Sequence, residues 1–163
     1  MIRPAQLADA AGIAHVHVHS WKETYVGMVA QSYLDSLSVE QRTERWVKIL
    51  TANTDTTFVA EEDGRIVGFV YGGKPQMPEL GFASELYALY VLKSHQKTGL
   101  GKQLFESFYR AMTKAHPSFY LWVIDRNPTA RFYARMGGIK GQSKTIEIGG
   151  AQVVEDLYSW RLG

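Results

Sequence analysis

Residues 89–104, LYVLKSHQKTGLGKQL, join an apolar strand to a helix through a loop with two glycines. Residues 89–91 have strand composition, and a helix with one apolar face begins near Gly99. The first amides of a helix lack intrahelical partners, and the helix dipole adds positive potential there. Gly99 and Gly101 would let a ligand approach the backbone closely. This segment therefore predicts a site for a phosphate or pyrophosphate.

Two common phosphate-binding loops do not fit this segment. A Walker A loop needs glycine five positions before the Gly-Lys pair and Ser or Thr after it, but Gln96 and Gln103 occupy those positions. A dinucleotide-binding loop needs a third glycine three residues after Gly101, where the chain has Leu104. A nucleoside triphosphate site and a Rossmann site are therefore excluded.

The rest of the chain predicts a mixed α/β domain in the order βααα-ββ-βα-βα-ββ. Alternating apolar residues and turn signals predict strands over residues 2–6, 58–62, 66–71, 84–92, 119–124, 143–148 and 153–161. Helices are predicted over residues 31–36 and 39–50, and after Asp9, Gly99 and the Asn127-Pro128 pair. Asp9 and Ser38 are the expected N-caps of the first and third helices.

Composition limits the classes of function. The chain has 163 residues, 45% of them hydrophobic and 21% charged, which predicts one domain over residues 1–163. A net charge of only +2 argues against a nucleic-acid partner, and the absence of cysteine excludes thiolate chemistry and Cys-ligated metals. Arg3, Gln6 and Asp9 interrupt any apolar leader, and no apolar run approaches the roughly 20 residues that span a bilayer. We expect a soluble cytoplasmic protein without a membrane partner.

The pattern Gln96-x-x-Gly99-x-Gly101 after a strand end resembles the GCN5-related N-acetyltransferase (GNAT) superfamily. The resemblance covers nearly the whole chain and rests further on Ile2-Arg3-Pro4, on Trp21 and Tyr25 with Gly27, on the Asp63-Gly64 hairpin, and on Asn127 and Tyr133 after a later strand. It implies a single-domain α/β fold with a mostly antiparallel central sheet, splayed at the cofactor site and flanked by helices.

The resemblance implies acetyl-CoA as co-substrate and no metal. The loop amides, chiefly those of Gly99 and Gly101, would hold the pyrophosphate, with Lys97 or Lys102 as charge partners. The resemblance also implies that the strand before the loop ends in a bulge, at Leu89 to Val91, which splays it from its parallel neighbour. Pantetheine would pair with the exposed backbone there, and one amide would stabilise the oxyanion. The implied cofactor-binding residues are Leu89, Tyr90, Val91, Gln96, Lys97, Thr98, Gly99, Leu100, Gly101, Lys102 and Asn127. Lys93 and His95 depart from the residues that are frequent in the family, which leaves the exact course of the loop open.

Two residues near the next helix have both a functional and a structural interpretation. Asn127 matches the family residue that hydrogen-bonds the pantetheine arm, and it also fits an N-cap before Pro128. Tyr133 matches the family residue that protonates the departing thiolate, and it could equally be an aromatic that packs beside Phe132.

The resemblance also implies a glutamate base on the strand that leads into the loop. Glu85 is the match, and the two-residue period of a strand places it on the same face as Leu89. The alternative is a solvated carboxylate at a strand end, and Glu79 is a weaker candidate base. The residues implied for substrate binding are Trp21 and Tyr25, which could instead belong to the core.

Three histidines in the first helix do not make a convincing metal site. His15 and His19 could share a cation, but His17 points elsewhere and no carboxylate completes the set.

The family resemblance predicts an N-acetyltransferase that acts on a primary amine by direct attack in a ternary complex. Alternatives are a non-enzymatic coenzyme A module, another acyl chain, and an alcohol acceptor. The acceptor, a small molecule or a peptide amine, is left open, as is the homodimeric state that is frequent in the family.

Overall fold

The computed structural model describes residues 1–161, which form one seven-stranded sheet with helices on both faces. The strands are β1 (Ile2–Pro4), β2 (Thr56–Glu62), β3 (Arg65–Gly73), β4 (Ser84–Val91), β5 (Ser118–Ile124), β6 (Ile139–Ile148) and β7 (Ala151–Arg161). The helices are α1 (Ala10–Thr24), α2 (Gln31–Asp35), α3 (Val39–Ala52), α4 (Leu100–Ala115) and α5 (Thr129–Arg135). The predicted element order is confirmed. None of the helices within residues 1–161 is long and apolar enough to cross a membrane.

The sheet has the order β1-β2-β3-β4-β5-β7-β6. Every neighbouring pair is antiparallel except β4 and β5, which are parallel. A parallel pair needs a long crossover, and α4 supplies it on one face of the sheet. The predicted mixed, mostly antiparallel sheet is therefore confirmed.

Apolar residues on the two faces of the sheet build separate cores. On one face, Leu104 and Phe108 of α4 pack with Val70 of β3 and with α5. On the opposite face, Trp46 of α3 packs with α1 and with Phe69 of β3. A third apolar cluster joins the end of α1 and α2 to β5 and to the β6–β7 hairpin. Helices thus cover both sides of the central strands.

Asp9 stands at the predicted N-cap position of α1, but its side chain does not cap the helix. The Asp9 carboxylate makes no capping bond to α1, because it accepts hydrogen bonds from the Arg3 guanidinium at 2.8 and 2.9 Å and from the Gln6 amide at 2.7 Å. Arg3 also pairs with Glu61, so this network ties β1 to β2 and to the start of α1. Ser38 behaves as predicted, since its hydroxyl accepts from the Gln41 amide at 3.2 Å.

A β-bulge in β4 overturns the predicted side-chain alternation. Tyr71 pairs with Ala88 and Gly72 pairs with Leu86, so Tyr87 is an extra residue that has no opposite partner in β3. The two-residue period breaks there. Glu85 consequently does not share a face with Leu89: Leu86 and Leu89 lie on the α4 side, and Glu85 lies on the opposite side.

Gly72 sets how closely α4 approaches the sheet. A Cβ atom at this position would lie 2.4 Å from the carbonyl oxygen of Glu85 and 2.6 Å from the Phe108 ring. Only a glycine leaves room for this contact between helix and strand.

We expect Gly72→Ala to lower the free energy of unfolding by about 1–3 kcal/mol, because the methyl group overpacks a rigid contact. Urea unfolding followed by circular dichroism measures the change. Gly101→Ala is the matched control, since open space surrounds that position and its φ is not positive. Its stability should equal or exceed that of the parent, and an unchanged midpoint for Gly72→Ala would show that α4 can move away at no cost.

Candidate active site

The parallel strands β4 and β5 separate soon after they begin. They pair only at Ser84 with Phe119 and at Glu85 with Tyr120. Within residues 1–161, the rest of β4 keeps its antiparallel neighbour β3 and has no strand partner on its β5 side. Backbone groups there can pair with an extended ligand. The splay that the sequence predicts is present, and the bulge at Tyr87 lies at its start.

A cleft of about 610 Å³, here called the loop cleft, lies beside this splay at the start of α4. It is lined by most of the predicted cofactor residues: Leu89, Tyr90, Val91, Gln96, Lys97, Gly99, Gly101, Lys102 and Asn127. Thr98 and Leu100 belong to the same loop but are not among the lining residues. The structure thus brings together one strand end, one loop and two helix starts that the sequence separates.

The loop has the backbone shape of an anion site. Gly99 adopts a left-handed conformation with φ of 86° and makes no side-chain cap, so the first amides of α4 remain available to a ligand. Lys97 is also left-handed, with φ of 64°, which the sequence did not indicate. Gln96 has a structural role, since its side-chain amide donates to the Val91 carbonyl at 2.9 Å and ties the loop to the strand.

Positive charge in the loop cleft comes from three side chains. Lys97 and Lys102 were predicted, and Arg135 of α5 lines the cleft as well. Sequence reasoning missed the residues of α5 and its C-terminal end that line the loop cleft, namely Thr129, Phe132, Arg135 and Met136. Their spacing of three and four residues is the signal that could have identified them.

A second space, here called the inner cavity, continues from the loop cleft into the splay. Its volume is about 130 Å³, and it shares Leu89, Tyr90, Asn127 and Thr129 with the loop cleft. Its other lining residues include Trp21, Tyr25, Trp122, Tyr133 and Glu155. Both predicted substrate-binding residues and the predicted acid Tyr133 therefore line one cavity.

Four tyrosines line this cavity: Tyr87 at the bulge of β4, and a group of three, Tyr25, Tyr90 and Tyr133. The Tyr25 hydroxyl lies 3.3 Å from that of Tyr90 and accepts from the Asn127 side-chain amide at 3.1 Å. Burial raises the pKa of Tyr133 above its ordinary value, and the charge on Tyr25 would raise it further. Burial is also the main cause of the raised pKa values of Tyr25 and Tyr90. All three are protonated phenols at neutral pH.

Asn127 is placed for both of the roles that the sequence left open, helix capping and ligand contact. Its side-chain oxygen accepts from the Thr129 amide at 3.0 Å, as a cap of α5 does. Its amide nitrogen binds Tyr25, and the residue lines both cavities. Capping and ligand contact therefore do not compete for the same atom.

Glu85 lies apart from the two cavities. One oxygen of its buried carboxylate accepts from the Gln76 amide at 2.8 Å and from the Tyr120 hydroxyl at 2.6 Å. Glu85 is not among the residues that line the loop cleft or the inner cavity. Its role as a base stays a prediction.

His17 belongs to an aromatic cluster and lies outside the lining of the inner cavity. Its ring stacks on Tyr90 at 5.6 Å and accepts a long hydrogen bond from Trp46 at 3.5 Å. Burial lowers its pKa to about 3, so the ring is neutral at physiological pH. Within residues 1–161, no group of three or more His, Cys, Asp or Glu side chains could hold a metal.

Comparisons with known proteins agree with this geometry. Residues 53–137 match the model of the acetyltransferase (GNAT) domain. An uncharacterized N-acetyltransferase, YuaI of Bacillus subtilis (strain 168), is 30% identical over 161 residues, covering 98% of this chain and 91% of that protein. The GCN5-related N-acetyltransferase from Rhodopseudomonas palustris has a similar fold, with a TM-score of 0.78, 20% identity, and coverage of 99% of this chain and 95% of that one.

A second solved structure, yncA from Salmonella typhimurium, contains acetyl-CoA as its cofactor. It has a TM-score of 0.75 and 19% identity to this chain, and covers 100% of this chain and 94% of that one. At this identity the likeness shows the fold.

We expect Gly101→Val to weaken coenzyme A binding about tenfold or more, equivalent to about 1.4 kcal/mol. A side chain at this position meets nothing within 4 Å inside the protein, and the residue lines the loop cleft, so the valine would obstruct the ligand without disturbing the fold. Isothermal titration calorimetry gives the Kd. Lys114→Val, on the exposed last turn of the same helix, is the control and should bind normally. Parental affinity in a folded Gly101→Val variant would show that coenzyme A does not bind at this loop.

Proposed function

Because this chain belongs to the GNAT acetyltransferase family, we propose that it transfers the acetyl group of acetyl-CoA to a primary amine, by direct attack in a ternary complex. The observation that carries the proposal is the continuity of two spaces at the splay of β4 and β5. The larger one has the anion-binding loop, and the smaller one has the phenol of Tyr133.

The loop cleft supplies the binding of the acyl donor. Free amides at the start of α4 and the charges of Lys97, Lys102 and Arg135 favour a pyrophosphate and a further phosphate. The unpaired side of β4 offers backbone donors and acceptors to the pantetheine amides. Bound in this way, the thioester would lie at the entrance of the inner cavity, where Leu89, Tyr90 and Asn127 line both spaces.

Direct transfer then requires one bond to form and one to break. The amine nitrogen attacks the thioester carbonyl carbon, and a backbone amide of β4 stabilises the oxyanion. The carbon–sulfur bond breaks as the intermediate collapses, and the thiolate takes up a proton. The acceptor enters as an ammonium and its nitrogen loses two of its three protons on the way to the amide, so acid and base groups are both needed.

Tyr133 is suited to the acid role by its position and protonation state. The buried phenol keeps its proton throughout the physiological pH range because its pKa is raised. A thiol has a pKa of about 8.5, below that of the phenol, so complete proton transfer from Tyr133 to the thiolate in the resting protein would be uphill. The phenol therefore first stabilises the developing thiolate through a hydrogen bond, and the proton follows as charge builds up on sulfur.

The direct test is an acetyl-CoA consumption assay over monoamines, polyamines, amino acids and short peptides. The proposed function predicts saturable turnover with at least one class and formation of the corresponding acetamide, identified by mass spectrometry. Acetyl-CoA binding without turnover of any class would favour a coenzyme A binding module over an enzyme.

We expect Tyr133→Phe to lower the single-turnover rate by roughly 10- to 10⁴-fold, while acetyl-CoA affinity and melting temperature stay near the parental values. Phenylalanine keeps the packing of the ring against Phe105 and Trp160 and removes only the donor. Rapid-quench measurement with a turned-over amine gives the rate. Adding Phe132→Tyr, on the same helix, to the Tyr133→Phe variant tests whether a nearby phenol can substitute for that of Tyr133. A parental rate in Tyr133→Phe alone would refute the acid role.

A further inference from the structure

One carboxylate faces the inner cavity, and the sequence did not point to it. Glu155 of β7 lies opposite Ile124 of β5 and opposite Lys144 of β6. Its side chain is 17% exposed, and one oxygen lies 3.8 Å from the Lys144 ammonium. Among the described lining residues of the cavity, Glu155 is the only Asp or Glu.

The surroundings of Glu155 form an aromatic chamber. Trp21 of α1 and Tyr25, directly after α1, have ring centroids 4.4 Å apart, and Trp122 approaches from β5. Tyr33 of α2 packs against the β6–β7 turn next to this chamber, so closely that a Cβ atom at Gly149 would lie 2.4 Å from the Tyr33 side chain. Aromatic side chains therefore share this cavity with one carboxylate, and the Lys144 ammonium lies beside that carboxylate.

Building on the proposed function, we propose that Glu155 binds the ammonium group of the acceptor and takes its proton, and that this acceptor is a monoamine with an aromatic or apolar body. A carboxylate at the end of an aromatic chamber pairs with one ammonium, and indole and phenol faces attract the same cation. The location lies on the far side of the splay from the loop cleft, as a ternary complex requires.

The chamber disfavours acceptors with further charges. A polyamine would bring additional ammonium groups, and the described lining holds no second carboxylate for them. An amino acid would bring a carboxylate, but the Lys144 ammonium already lies 4.2 Å from the centre of the Trp122 ring and beside Glu155. The Trp122 indole nitrogen is buried without a hydrogen-bond partner within residues 1–161, and it offers one donor to a neutral oxygen on the acceptor.

Charged and titratable groups around Glu155 favour a carboxylate that can accept a proton. Burial raises its pKa above the ordinary value, Lys144 opposes that rise, and the negative charge of Glu85 adds to it. The Tyr25 phenol, directly after α1, is the titratable group that faces it from that helix end. A carboxylate with a raised pKa is a stronger base than a solvated one, while the nearby Lys144 ammonium favours its ionised form.

The proton balance is complete without another reactant. The acceptor enters as an ammonium and gives one proton to Glu155, and its nitrogen lone pair then forms the bond to the carbonyl carbon. When the carbon–sulfur bond breaks, the thiolate takes the second amine proton, with the Tyr133 phenol as its immediate donor. Glu155 returns its proton to solvent, so the products are an acetamide, coenzyme A thiol and one released proton.

The test first measures kcat/KM of the parent protein for 2-phenylethylamine, spermidine and an alanyl peptide. It then measures the pH dependence of kcat/KM in the parent and in Glu155→Gln. We expect 2-phenylethylamine to be preferred. For Glu155→Gln we expect a loss of about 10²-fold at neutral pH that shrinks as pH rises and free amine accumulates. A merely structural role would lower the rate equally at every pH.

Two further variants keep the outcome interpretable. Glu155→Asp retains the charge and should recover part of the rate, and Glu147→Gln, an exposed carboxylate on β6, should behave like the parent. Acetyl-CoA binding by calorimetry should be unchanged in all of them. Preference for spermidine or the peptide, or a loss confined to Glu85→Gln, overturns this inference and leaves the proposed function intact. Absence of turnover with every amine overturns both, and intact acetyl-CoA binding then identifies a binding module.

Discussion

The parallel pairing of β4 and β5 ends after two residue pairs, and the candidate site depends on that early separation. Backbone groups that leave a sheet need other partners, because buried unpaired amides and carbonyls are costly. Here the opening joins the loop cleft to the inner cavity, so a ligand that lies along β4 can satisfy the backbone. The extra residue Tyr87 marks the point at which the strand changes its relation to both neighbours.

Packing on either side holds this opening in place. The contact of Gly72 with Phe108 keeps α4 close to the sheet, which fixes the start of the helix beside the strand end. On the other side, the Trp160 indole donates to the Met136 carbonyl at 3.1 Å and fills the space beside Gly138. These contacts set the position of α5 and therefore of Tyr133. The rigid core thus supports a site whose own backbone is incompletely paired.

Burial gives the groups of the inner cavity their chemical character. Desolvation disfavours the charged form of a phenol and of a carboxyl alike, which keeps Tyr25, Tyr90 and Tyr133 protonated. Burial raises the pKa of Glu155 as well, but the neighbouring Lys144 ammonium favours its ionised form. One cavity can therefore hold proton donors and a carboxylate that accepts a proton, which transfer from an ammonium to a thiolate requires.

Local signals in the sequence were sufficient for the element order, the loop of Gln96 to Gly101 and the cap at Asn127, because helix starts and glycine turns depend on neighbouring residues. The positions of Glu85 and Glu155 were decided by tertiary structure. A single bulge at Tyr87 reverses the face on which Glu85 lies, and the residue types around Tyr87 do not indicate the position of the bulge. Glu155 resembles any polar residue of an alternating strand, and its function becomes visible only when pairing places β7 beside β5, about one strand spacing from the splay.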